Sequence, residues 1–442
     1  MFKNKVSILL LSGMLAGGIS GCVPLEQQGQ GYGSSSTTQA TLRYEDFIYD
    51  ESIRSVQCYR ASGTPEEVLN PAVLPLTQEQ PVMLKFDRVN AGPQRLLVKV
   101  HHCNANWTPS GLNVTQYLND FNEFFITDVQ NSVSTRVPYV HYTFRVPRVK
   151  ISGNYVVEVT EEGGNVLLSR RMLVYENAVA VAAKLGAPAG PSGRFSRQPV
   201  EFNIFYKDFP LVNPAQEIKV VMRQNHRWDN AKSYPQPTFV RDEARRLEYV
   251  FFEPKDHFMG LSEFRVFDTR SIRFRGLGVQ GINLEANPIV VNLQQDKTRQ
   301  GEVYSQDPDA DGKLLFGNRE YGNGDVNGDY AWVEFELRAP EETKGNVYLQ
   351  GALTDWRLTE QARMRYNQER GAYVGRLLLK QGYYNYYYAL AGGAGTEADA
   401  SYFEGSHFGT GNTYDILVYY RPPGTRADRL VGYEEIGYNR KF

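Results

Sequence analysis

The chain has 442 residues, 48 basic and 50 acidic side chains interspersed along it, and a net charge of −2, so it has no basic stripe to follow a phosphate backbone and nucleic acid is not supported as a partner. Its 29 Tyr, 23 Phe, 40 Gly and 22 Pro, with few long Leu/Ala/Glu/Lys runs, favour an all-β chain over a helical one.

Residues 1–21 read as a lipoprotein signal peptide. Lys3 and Lys5 supply the positive start, residues 6–19 an apolar run too short to span a bilayer with ordinary flanks, and Ser20-Gly21 lead into Cys22, the expected lipidation site. Residues 22–40 follow as a lipidated cysteine and flexible tether with no apolar face to bury. Its polar stretch 27–40 would have a root-mean-square span of roughly 20 Å and a limit of about 50 Å.

Beyond the tether, strands dominate. Alternation in Val82-Met83-Leu84-Lys85-Phe86, Leu96-Leu97-Val98-Lys99-Val100 and Tyr155-Val156-Val157-Glu158-Val159 predicts a β-sandwich over 41–182, interrupted by a helix at 114–125 capped by Asn113. A Gly/Pro-rich stretch from Ala183 opens a second sandwich, 183–296. A polar Asp/Gly/Asn-rich insertion, 297–330, leads to a third, 331–424, and 425–442 is left as a tail. The expected architecture is therefore tandem immunoglobulin-like β-sandwiches.

Chemistry-bearing constellations are weak. On a strand, His101 and Cys103 share a face while His102 points away, so zinc would need His141 and a further ligand that no spacing supplies. Asp307-Pro308-Asp309-Ala310-Asp311-Gly312 opens like a calcium loop, but Asn318 stands where a bidentate glutamate belongs, which favours a solvated acidic loop. No nucleophile elbow, metalloprotease helix or phosphate loop is present, so we expect no catalytic residues, no metal and no cofactor. Cys58 and Cys103 could form one bridge or remain two thiols.

The segment from Asn346 through Trp356 to Tyr388 resembles early-set immunoglobulin-like modules found beside glycan-active enzymes. That resemblance implies an aromatic shelf of Trp356, Tyr384, Tyr386 and Tyr388 that could stack a sugar or pack a sandwich. A polysaccharide-binding surface lipoprotein is thus the alternative reading.

A longer resemblance is carried by His102-Cys103-Asn104-Ala105-Asn106-Trp107-Thr108-Pro109-Ser110-Gly111-Leu112, Tyr117-Leu118-Asn119-Asp120-Phe121, Tyr139-Val140-His141-Tyr142-Thr143-Phe144-Arg145-Val146-Pro147, Phe403-Glu404-Gly405-Ser406-His407 and Leu417-Val418-Tyr419-Tyr420-Arg421-Pro422-Pro423-Gly424. In this order the chain resembles the type IX secretion system plug protein family. The resemblance implies a non-enzymatic periplasmic protein held at the outer membrane that closes a β-barrel translocon when no substrate occupies it. Asn104, Asn106, Trp107, Pro109, Ser110 and Leu112 are the expected partner-binding residues, with the insertion 297–330 as the second expected contact surface.

Overall fold

In the computed structural model, residues 41–188, 193–392 and 398–439 are described; the expected signal peptide, Cys22 and the tether lie outside them. The protein is all-β. Its strands build three modules, each around its own core. In the first, Val82–Val89 lies between Ile53–Arg60 and Tyr139–Arg145, and Asp128–Asn131 closes the edge. The facing sheet runs Phe47–Ile48, Val166–Tyr175, Gly153–Glu161, Leu96–Cys103, Phe124–Phe125. Leu84, Phe86, Tyr142, Val98, Val157 and Leu168 fill the space between, as period-two alternation requires. The expected helix is a single turn, Val114–Tyr117, with the Asn113 and Gln116 side chains forming the capping box. It stops at Leu118, which turns extended and is buried in the first core.

The second module does not follow the expected boundaries. Ala180–Leu185, Val200–Phe205, Arg246–Tyr249 and Phe239–Arg241 form one sheet; the other joins Lys232–Tyr234 and Ile218–Gln224 to Asn412–Tyr420 and Arg429–Tyr438. Seven antiparallel pairs, from Ile218↔Tyr420 to Gln224↔Tyr414, hold that seam. The end of the predicted third sandwich and most of the tail are therefore core strands of the second module, with Ile416, Val418 and Val431 packed on Val220 and Met222.

Conversely, Arg265–Asp268, Val279–Asn283 and Ile289–Leu293 leave the second module for the third. There a single sheet runs Arg265–Asp268, Gly382–Ala391, Asn346–Gln350, Arg363–Asn367, Ala372–Lys380, Tyr330–Arg338, Ile289–Leu293, Val279–Asn283. Arg363–Asn367 is its corner, pairing Met364 with Val347 on one side and Arg365 with Val374 on the other. The sheet folds over itself, so that Phe267 meets Phe335 edge-on at 5.5 Å inside it. The insertion 297–330 is not a solvated loop: Leu314–Phe316 pairs with Gly382–Ala391, and Asp309, Asp311, Asn318 and Asp329 are buried. All described residues belong to one compact unit, and among them no helix is long and apolar enough to cross a membrane.

Candidate functional site

The residues singled out by the sequence lie mostly at the seams between modules. At the end of Leu96–Cys103 the chain turns tightly, with Trp107 N donating to Asn104 O at 2.9 Å and Trp107 in a left-handed conformation, φ 65°. This turn thrusts the indole against the second module, perpendicular to Trp228 at 4.8 Å. The Arg171 guanidinium lies 4.3 Å over Trp107, and Arg223 4.2 Å over Trp228 from the other module. Arg223 is itself ion-paired with Asp415. Backbone recognition completes the seam: Asp428 N donates to Asn104 Oδ1 at 3.1 Å, and Ala105 N to Asp428 Oδ2 at 3.0 Å. Val156, Leu173, Leu417, Tyr419 and Leu430 exclude water around it.

Asn104, Trp107 and Ser110 are thus buried within the protein, and the expectation that they meet a partner is corrected: Asn104 and Trp107 weld the first module to the second, and Ser110 is tied to His102 and Leu112 of its own module. Asn106 and Pro109 remain exposed at the turn, and Leu112 packs half-buried on the first core.

A second seam, between the first and third modules, is charged. Asp87, fully buried, accepts from His141 Nδ1 at 2.6 Å, Tyr330 OH at 2.7 Å and Lys380 Nζ at 2.7 Å. Lys380 also donates to Asp325 O at 2.7 Å, and Lys85 pairs with the Asp325 carboxylate at 2.8 Å. Burial pulls the Lys380 ammonium below the usual lysine range, opposed by Asp87. The apolar complement here is small, chiefly Val89, Val137, Tyr139 and Leu378. Sequence reasoning missed Asp87, Lys380, Trp228, Arg171 and Arg223. A lysine ending the apolar run Leu377-Leu378-Leu379 was the one local sign of a buried charge.

The aromatic shelf does not exist. Tyr384, Tyr386 and Tyr388 point into the folded third sheet and are buried, with the hydroxyls of Tyr386 and Tyr388 each 2.7 Å from Asp296 Oδ2. Tyr387 faces the opposite side and stacks on Phe264 at 3.8 Å. Trp356 is half-buried beneath Arg227 at 3.8 Å, where it helps close a third seam with the Arg170–Asp355 ion pair, 2.9 Å. None of the three tyrosines can reach a sugar.

Cys58 and Cys103 are free thiols, both pushed up to about 12 by burial. His101 binds Glu158 at 2.7 Å, and among the described residues no group of three His, Cys, Asp or Glu is placed to hold a metal. In the calcium-like segment, Asp309 accepts from the amides of Phe264 and Asp311, yet burial pushes its carboxyl up to about 7. Its contribution to stability is therefore complete below its ordinary value of 3.8 and is lost as pH rises through about 7. Asp309→Asn should shrink the fall in Tm between about pH 5 and about pH 8, measured by calorimetry; an unchanged fall would remove Asp309 as a cause.

Against the outer face of the third sheet lies a cleft of about 660 Å³ lined by Glu334, Glu336, Arg363, Arg365, Arg370 and Arg376. Arg370 reaches Glu336 at 3.4 Å, and Arg376 lies 4.6 Å over the Trp332 ring.

Residues 53–176 match the family model described as the first domain of the type 9 secretion system plug protein. A crystal structure of a hypothetical protein from Parabacteroides merdae is 31% identical, superposes with a TM-score of 0.83, and covers 90% of this chain and 100% of its own. A structure of manganese lipoxygenase of Gaeumannomyces graminis, with part of a Komagataella pastoris zonadhesin, aligns at 8% identity and a TM-score of 0.13, covering 88% of this chain and 100% of its own. Among curated proteins there is no match.

Proposed function

The chain belongs to the type IX secretion system plug protein family, and from that premise we propose that it is a non-enzymatic cover for the outer-membrane translocon barrel, seated when no substrate occupies the pore. The observation that carries this reading is the match to the plug protein's first domain over residues 53–176. The way that domain is built into the rest of the chain supports it. A cover must be stiff, and the first module is fixed to the second by interlocked tryptophans and arginines and to the third by a buried ion cluster. A cover must also come off, which favours polar contact faces over an apolar one, and the outer face of the third sheet is of that kind.

In this reading Cys22 carries acyl chains in the outer membrane and the body faces the periplasm. A polar tether of this length would raise the effective concentration of the body at the barrel, so that a modest intrinsic affinity suffices. The seams use up the residues on which a glycan-binding shelf depended, and no other observation favours that alternative.

The test is an affinity pull-down from detergent-solubilised outer membranes with a tagged copy retaining Cys22, beside a deletion strain. Recovery of a very large β-barrel, with raised barrel permeability in the deletion strain, is expected. Absence of any barrel from the eluate, with permeability and secreted cargo unchanged, would reject the proposal.

A further inference from the structure

Two loops of the third module are tied into one rigid surface that presents large apolar side chains to water. The first, 269–278, folds back on the strand it leaves: Asp268 N donates to Leu277 O at 2.9 Å, and Val279 N to Gly276 O at 3.2 Å. At Gly276 a Cβ would come within 2.1 Å of the Asp268 carbonyl, so only glycine permits so close a return. The second, 317–323, is fastened to the first by Arg319 N donating to Arg270 O at 2.9 Å, by Arg319 to the Asp268 carboxylate at 2.8 Å, and by Ser271 to Glu320. Inside the first loop, the amides of Arg273 and Phe274 donate to Ser271 Oγ at 3.2 and 3.0 Å.

This bracing leaves Phe274 76%, Leu277 64% and Tyr321 57% exposed. Interleaved with them are Arg273 and Arg275, both exposed and, among the described residues, without a carboxylate in ion-pairing reach. Arg273 reaches only the Tyr321 hydroxyl, at 3.4 Å. Single exposed hydrophobics need no explanation, but aromatic and aliphatic tips held rigidly between unpaired arginines, in a chain of net charge −2, do.

We infer that this surface docks on an anionic lipid bilayer. Phe274 and Leu277 enter the acyl boundary, Tyr321 sits at headgroup depth, and Arg273 and Arg275 meet lipid phosphates. The charge is the sign that anionic headgroups demand, and a secretion-system protein of the cell envelope works beside such a surface. The inference rests on that envelope location and not on the cover function or the acyl anchor.

The experiment uses the mature chain with Cys22→Ser, so that no lipid of its own confers binding. It is sedimented with vesicles of phosphatidylethanolamine and phosphatidylglycerol, or of phosphatidylcholine alone. Binding to the anionic vesicles should be about tenfold stronger and should weaken with salt. Phe274→Ser with Leu277→Ser, and separately Arg273→Glu with Arg275→Glu, should each lower it about tenfold with Tm unchanged. No binding to anionic vesicles, or equal binding by both double variants, overturns the inference. So does a photo-crosslinker at position 274 that labels protein but no lipid in cells. Loss of the barrel interaction in the pull-down above would leave vesicle binding intact, so the two readings fail separately.

Discussion

Replacing Trp107 with alanine should lower the unfolding free energy by about 3–5 kcal/mol, the range for emptying a buried aromatic site. The indole is only 8% exposed and lies between Arg171 and Trp228, so its loss opens a void and removes the ring that Arg171 covers. The damage should also be directional. Because the turn joins two modules, urea unfolding should change from one transition to two, and limited proteolysis should cut near the seam before either core. Trp107→Phe should recover part of the loss, since a ring remains beneath the guanidinium. A cost below about 1 kcal/mol for Trp107→Ala, with one transition preserved, would mean that the seam is held by the Asn104 side chain on the Asp428 amide and the Asp428 carboxylate on the Ala105 amide.

The second large effect is expected at Asp87. Asp87→Ala leaves the Lys380 ammonium, 1% exposed, with the Asp325 carbonyl and the Tyr139 ring but without its ion-pair partner, and removing one partner of a buried pair costs about 3–5 kcal/mol. His141 and Tyr330 lose their acceptor as well. Adding Lys380→Met to Asp87→Ala should return a measurable share of that stability, because the unpaired charge is then gone. A double-mutant cycle in urea should report a coupling of about 0.5–3 kcal/mol. Additive costs in that cycle would show that the two residues do not act as a pair.

How much of this was legible depended on the range of the interaction. Val82-Met83-Leu84-Lys85-Phe86 declared its strand and buried face, since Leu84 and Phe86 share a side and period two is local. Gly153–Glu161 also read as a strand, but it is buried on both faces, because the second module covers its outer side at Val156. No pattern within nine residues says what lies across a sheet. The same limit put Asn412–Tyr420 in the third sandwich and left Arg429–Tyr438 as a tail, because the partner Ile218–Gln224 lies far upstream. For the candidate site, the loop at Trp107 was named as a partner contact through the family resemblance, whereas its indole packs on the chain's own second module. An aromatic residue at a tight turn is equally suited to a partner protein and to the chain's own next module, and Trp228 and Arg171 carry no local mark that would decide between them.

The split of the second module sets an order on assembly. The strands of the first module lie within 47–175 and those of the third within 265–391, so each can close as soon as its own stretch of chain is available. The second cannot: Arg223 must find Asp415, 192 residues on, before its sheet is complete. Loop closure over such a distance is slow even where its entropic cost grows only as a logarithm. The middle of the molecule is therefore the last part to form, and until the strands at 412–438 arrive the edge of Ile218–Gln224 stays open. The step that fixes the finished body thus waits until almost the whole chain is available.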